Sequence, residues 1–291
     1  MNLESIMLDK EYCMWKKVFV SIFAFGIYVL FLSRAKLQEI SDSNGFSISE
    51  ITDSNANSGN SGNNSGLYLI STQSNPDGRD DPDAANWDIS ALDTAAEADY
   101  LSPAEKDVIL EMNKARADPK KYAELYIKPM LEYNWGGPFG ANSYLAPGAT
   151  IYTSTNEGRS GIQSCINDLS KRQSMSPLLP EKGLSLAARD HVNDTGPKGI
   201  VGHTGSDKSS MGQRIERYGK WDRGAGENIS YGHNKGRDIV IQLLIDDGVS
   251  SRGHRNNILN KNFKYAGGAI GSHSKYNYLC VIDYANEYIS K

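Results

Sequence analysis

The chain has 291 residues, a formal charge of −4 and an isoelectric point near 5.8, with no dense Lys/Arg stripe. That balance argues against a nucleic-acid binder or a polybasic membrane-surface binder, whose affinity rests on neutralising phosphates. A hydrophobic fraction of 39 % supports a real core, and a mean hydropathy of −0.50 requires long polar stretches beside it. The three cysteines, with no CxxC pair, exclude a disulfide-dense mini-scaffold and a zinc knuckle.

The first segment with a signal is Val18 to Ser33, uncharged, preceded by Lys16-Lys17 and followed by Arg34. Its helical length is roughly 24 Å at 1.5 Å per residue, short of a bilayer's ~30 Å core. A secretory signal fits this run best, with Ser33 and Ala35 as the small residues of a cleavage site before Lys36. The acids Glu4, Asp9 and Glu11 are foreign to the charged start of such a signal, and translation from Met14 removes them. An uncleaved signal anchor is the alternative, tethering the protein to a membrane. Residues 36–100 read as a disordered linker. Twelve of the thirteen residues 54–66 are Ser, Asn or Gly, a tract with nothing to bury and no means of offsetting its backbone entropy. Asn75 to Asp83 is acidic and turn-rich but lacks the spacing of a calcium loop.

A folded domain is expected from Leu101 to Lys291. Ser102-Pro103-Ala104-Glu105 is a helix start, followed by an apolar stripe of Val108, Ile109, Met112 and Ala115. Asp118-Pro119 opens a second helix through Tyr122 and Leu125. Beyond a Gly/Pro-rich loop, the patterns predict helices over Ile162–Leu169, Leu184–Thr195, Met211–Tyr218 and Asp238–Asp247. The period then changes, and Ala266–Gly271 and Tyr278–Tyr284 read as strands. Helices first and strands last predict an α+β layered domain.

Several polar residues stand out against this pattern. The apolar run Ile239 to Ile245 ends in Asp246 and Asp247, which oppose the helix dipole by roughly 0.3–1 kcal/mol each and call for a cationic partner. His254 and Arg255 lie just beyond, while His203 and Glu227 sit in glycine-flanked segments expected to be loops. Two imidazoles and two carboxylates suit zinc and similar ions. The same residues also suit hydrogen-bonded loop histidines with Glu227 paired to an arginine. His191, on the Ala187 face of its helix, reads as a packed or cleft-rim residue. No HExxH is present, and Ser250 or Ser251 beside His254 lacks a G-x-S-x-G elbow.

Four segments in order, Gly202-His203-Thr204-Gly205-Ser206, Gly226-Glu227-Asn228-Ile229, Gly253-His254-Arg255-Asn256-Asn257-Ile258-Leu259-Asn260 and Leu279-Cys280-Val281-Ile282-Asp283-Tyr284, resemble the CAP superfamily of cysteine-rich secretory, antigen 5 and pathogenesis-related 1 proteins, also called SCP-like domains. The Gly-His-Arg-x-Asn-Ile-Leu form is similar to the branch of bacteria and lower eukaryotes. The resemblance covers Leu101 to Tyr288. It implies a three-layer α-β-α sandwich with a cleft holding His203, Glu227, Asp246 and His254, a tetrad able to bind Zn2+ or another divalent cation. Asp246 stands where the family usually has the longer glutamate, with Asp247 as the substitute. His191, Asn228, Asp247 and Arg255 would neighbour the cleft. In an exported domain of this kind Cys165 and Cys280 would form a disulfide. The resemblance further implies a secreted, non-catalytic binding module, with a sterol, fatty acid or other lipid, or a cell-surface or host partner, as its target. The alternative is a metal-assisted hydrolase with Glu227 as general base.

Overall fold

The computed structural model describes residues 46–51, 66–71 and 86–291. The leader Val18–Ser33, the Met14 start, most of the Ser/Asn/Gly tract and the acidic run 75–83 lie outside them. The chain divides into two units, Met1–Gln73 and Ser74–Lys291. In the first, strand β1 (Phe46–Ile51) pairs antiparallel with β2 (Gly66–Ser71), Phe46 opposite Ser71 and Ile51 opposite Gly66. Both strands fall within the expected linker. Their apolar residues, Phe46, Ile48 and Ile51 in β1 and the run Leu67 to Ile70 in β2, bracket the polar tract and are swamped when composition is read over a wide window.

The second unit is packed from Trp87 onward, earlier than the expected boundary at Leu101. Helix α1 (Ile89–Leu92) buries Leu92, and Ala95 and Ala98 after it are also buried. The Trp87 indole N–H donates to Tyr126 Oη at 2.8 Å, and Asn113 Nδ2 donates to the Leu92 carbonyl at 2.9 Å. Helix α2 (Pro103–Ala117) starts as expected. The Ser102 hydroxyl accepts from the Glu105 N–H, Glu105 reaches back to the Ser102 N–H, and Pro103 occupies the first turn. Its stripe of Val108, Ile109, Met112 and Ala115 is buried. Helix α3 (Pro119–Tyr122) is capped by Asp118, and residues 123–132 continue as first a wider and then a tighter helical turn. A small antiparallel ribbon follows, made of β3 (Asn134–Trp135), β4 (Ser143–Leu145) and β5 (Thr153–Ser154).

The remaining elements are α4 (Arg159–Leu169), β6 (Leu179–Pro180), α5 (Lys182–Thr195), α6 (Met211–Tyr218), β7 (Gly219–Tyr231), α7 (Gly236–Ile245), α8 (Gly253–Ile258), β8 (Tyr265–His273) and β9 (Asn277–Ser290). Four strands form one sheet in the order β6-β8-β9-β7, with β6 parallel to β8 and the other pairs antiparallel. Because side chains alternate along a strand, β9 feeds two cores. Leu279, Val281 and Ala285 pack against α5 and α6 with Ala188, Val192 and Ile215. Cys280, Ile282 and Tyr284 pack against α2, α4, α7 and α8. The result is the helix–sheet–helix layering expected of an α+β domain. Helix α5 lies very close on β8, since a Cβ at Gly267 would overlap Leu184 and the Ser185 amide, and one at Gly271 would overlap Val192. Across the other layer, buried Arg116 donates to the carbonyls of Ser176, Ile258, Asn260 and Phe263, pinning the turn after α8.

The expected Cys165–Cys280 disulfide is not formed, and both are buried free thiols. Cys165 on α4 faces the end of α7, its Sγ donating to the Leu244 carbonyl at 3.2 Å beside Arg255 and Asp168. Cys280 lies in mid-sheet beside Glu105 and Arg189. The two sets of charged neighbours share no member. Burial pushes the Cys165 thiol up to about 12 and Cys280 higher still.

Candidate functional site

The site is built at the edge strand β7. Its residues Glu227, Ile229 and Tyr231 point to the α5 side, where Ile229 joins that core, and Asn228 and Ser230 point to the α7 side. Glu227 was expected in a loop; the strand places it opposite Asp283 of β9, and burial leaves it 7 % exposed. The His203 Nδ1–H donates to Glu227 Oε1 at 2.8 Å, and Arg214 of α6 donates to Glu227 Oε2 at 2.6 Å. Arg214 also donates to the carbonyls of His203 and Ser209, so one buried guanidinium holds both the acid and the loop that carries its imidazole. Burial pushes the Glu227 carboxyl up, but His203 and Arg214 outweigh it and hold the group below its ordinary 4.5.

The second pair approaches β7 from the other layer. Helix α7 ends at Ile245, and Asp246 takes a left-handed conformation (φ 55°) as its C-cap. That conformation turns the carboxylate away from the helix dipole and toward α8. Its Oδ1 accepts from His254 Nδ1 at 2.6 Å and its Oδ2 from the His254 amide at 3.0 Å. Of the two aspartates, Asp246 is the one bonded to His254. Asp247 accepts from the amides of Asn156 and Glu157 and clamps that turn instead. Arg255 is no cleft residue either; its Nε and Nη2 cap the Leu244 and Ile245 carbonyls.

Asn228 and Asn257 tie the two dyads together. Asn228 Nδ2 donates to the His254 carbonyl at 3.0 Å, and Asn257 Nδ2 donates to Asn228 Oδ1 at 2.9 Å and to the Glu227 carbonyl at 3.4 Å. The structure therefore brings His203, Glu227, Asp246 and His254 to one stretch of β7, as two histidine–carboxylate dyads rather than four donors around a point. Among the described residues, no three His, Cys, Asp or Glu side chains are grouped to hold a metal ion by themselves. In each dyad Nδ1–H faces the carboxylate, so in the neutral ring the free electron pair is on Nε2. The His203 side chain is 56 % exposed and that of His254 25 %.

His191 is buried, and its Nε2–H donates to the Gly202 carbonyl at 2.8 Å. Burial lowers its pKa, so it is neutral and fixes the His203 loop rather than lining a cleft. Two residues of the site had no sequence signal. Arg214 looks like any helix-surface arginine, and Asp283 sits in an otherwise apolar strand. Asp283 is fully buried with neither oxygen hydrogen-bonded to a donor among the described residues. Burial, and next the charge of Glu227, push its carboxyl well above its ordinary range, so it is carried as the neutral acid beside Glu227. Behind the His203 loop, a cavity of about 410 Å3 is lined by charged and polar side chains, among them Asp190, Asp194, Lys198, Arg214 and Arg217.

Residues 153–284 match the family model described as the cysteine-rich secretory protein family, CAP. That stretch is similar to a CAP domain. The chain is similar to the uncharacterized protein YkwD of Bacillus subtilis (strain 168), 31 % identical over 97 residues, a stretch that spans 33 % of this chain and 36 % of that one. Among solved structures, it is similar to an outer surface protein from Borrelia burgdorferi (TM-score 0.33, 18 % identity, 38 % of this chain and 78 % of that one). It is also similar to an extracellular protein containing a SCP domain from Bacillus anthracis str. Ames (TM-score 0.31, 19 % identity, 47 % of this chain and 46 % of that one).

Proposed function

We propose that this CAP-domain protein is an exported, non-catalytic binding module that presents two oriented imidazoles to a divalent cation at the edge of its sheet. The observation that carries the reading is the pair of dyads bound through Asn228 and Asn257 to one stretch of β7, each with Nε2 turned from its carboxylate. A carboxylate on Nδ1 fixes the ring and raises its basicity, the usual outer-shell arrangement for a metal-binding histidine. His203 and His254 would hold the cation, and Glu227 and Asp246 would orient them rather than ligate. A bound cation would supply a positive attachment point for an anionic group of a ligand.

The hydrolase reading is less well supported, because both oxygens of Glu227 are committed, one to Arg214 and one to His203. A carboxylate held below its ordinary pKa is a weak general base near neutrality. The charged lining of the cavity behind the His203 loop favours a polar ligand there over a sterol or fatty acid.

Calorimetric titration of the protein with Zn2+ tests the proposal, against the variant His203→Ala/His254→Ala. One saturable site in the native protein, lost in a variant that still folds, is the expected result. No heat with the folded native protein would overturn the cation reading. Parallel titrations with a fatty acid and a sterol test the lipid function implied by the family.

A further inference from the structure

From Tyr133 to Asn156 the sequence contains no charged residue, in a chain of which 23 % is charged. This segment is the β3–β5 ribbon, and it holds two large apolar side chains out to solvent, Phe139 at 67 % and Ile151 at 79 % exposure. Among the described residues only Ile289, near the chain's end, is comparably bare at 73 %. Their exposure is constructed. Gly136, Gly137 and Gly140 adopt positive φ, and the Ser143 N–H and hydroxyl both donate to the Gly140 carbonyl, closing the turn that carries Phe139. Tyr152 lies flat under Gly137, where a Cβ would come within 2.7 Å of its ring, and meets Phe139 edge-on at 6.2 Å. Ile151 precedes Tyr152 in the same ribbon, so both exposed side chains belong to this one uncharged segment.

We propose that this ribbon is a contact site for the surface of a lipid bilayer. A charged side chain resists entry into the hydrocarbon boundary, and this segment brings none. Phe139 and Ile151 would enter it and Tyr152 supplies an aromatic ring with a polar tip that favours the headgroup level, while Tyr133, Trp135 and Tyr144 pack on the core and seat the ribbon. With no Lys or Arg in the segment, the contact needs no anionic lipid. Under the alternative of an uncleaved anchor, the sequence also places a bilayer within reach, since Ser33, the end of the uncharged apolar run, and Asn86 are 53 positions apart. The ribbon's base connects to the site already described. Asn142 binds Thr155 and Asn156, and Asp247 and Arg252 bind Asn156 and Glu157 beside the Asp246–His254 dyad. The surface contact stands independently of whether the dyads take a cation.

The test uses Ser74–Lys291, which packs as a unit and contains all three core clusters, because the apolar run would mask the ribbon with its own lipid affinity. Phosphatidylcholine vesicles are floated with the native protein and with Phe139→Ser/Ile151→Ser, both checked by thermal melting. Expected is flotation that persists in high salt and falls by roughly ten-fold or more in the variant. A second variant, Phe139→Trp, should shift its emission to the blue on vesicle addition and be quenched by brominated lipid. Absent flotation of the native protein, equal flotation of the double variant, or binding only to anionic vesicles at low salt would each overturn the proposal. So would concentration-dependent self-association abolished by Phe139→Ser/Ile151→Ser without flotation, which would make a second copy the occupant.

Discussion

At the residue scale the site turns on how Glu227 and Asp283 share one buried space, and their opposite pKa directions give opposite pH behaviour. Glu227 is held below its ordinary 4.5, so its stabilisation is present above that pH and is lost as pH falls through the lower folded value. Glu227→Gln should cost about 3 kcal/mol near neutrality, because it leaves the Arg214 charge buried and unpaired, and the difference from the native protein should shrink in acid. Asp283 is displaced upward from 3.8, so the folded state keeps a proton that the unfolded chain releases, and stability is lost as pH rises above 3.8. Asp283→Asn keeps the size and a donor toward Glu227 but has nothing to titrate. Its melting temperature should exceed the native value by a margin that widens from about pH 4 to pH 7. Melts across that range check both variants. The histidines and their glycine-flanked motifs were legible in the sequence, as was the oddity of two acids ending an apolar helix. Asp283 was not, because one acid in a β-rich run looks like a solvent-facing position until the second layer of helices is seen to cover it.

At the element scale, short polar connections do the positioning. Helix α2 depends on its start, and Ser102→Ala should lower stability by about 1 kcal/mol by removing one half of the capping box. The segment between α7 and α8 depends on Arg252, which donates through Nη1 to Glu157 Oε1 and the Asp246 carbonyl and through Nη2 to Glu157 Oε2. A double-mutant cycle with Arg252→Ala and Glu157→Ala should show a coupling on the order of 1 kcal/mol, the modest value of a partly exposed, two-pronged pair. Helices with clear apolar stripes and capping residues were legible here. Strand β7 was not, because Gly219, Gly224, Gly226, Asp222 and Asn228 are poor strand formers and the register shifts between Asp222 and Ala225. Its order comes from pairing with β9 along nearly its whole length, a tertiary cause that no window of sequence displays.

At the scale of the whole molecule, the sheet decides where the thiols and the boundary of the domain lie. Both thiols are buried with separate neighbours, so reductant should leave the melting temperature unchanged, and neither should react with a thiol reagent until the domain unfolds. The boundary follows from the same packing. A capping box at Ser102 reads as a beginning, and locally it is one, yet the chain before it covers the core beneath α2. Leu92, Ala95 and Ala98 are buried there, Trp87 and Tyr100 pack on the same cluster, and Thr94 donates to the Leu178 carbonyl at 2.7 Å. Asn113 is fully buried in α2, and its amide donates to the Leu92 carbonyl as well as to Leu178. A chain beginning at Leu101 would expose this apolar surface and strip Asn113 of two acceptors, the Leu92 carbonyl and the Thr94 hydroxyl, whereas one beginning at Ser74 would keep the surface and the bonds intact. From the Leu92 and Trp87 contacts alone the shorter chain should be less stable by about 3–5 kcal/mol. Urea unfolding of the two chains measures the difference. Equal stabilities would mean that the residues before Leu101 merely rest on a core already complete.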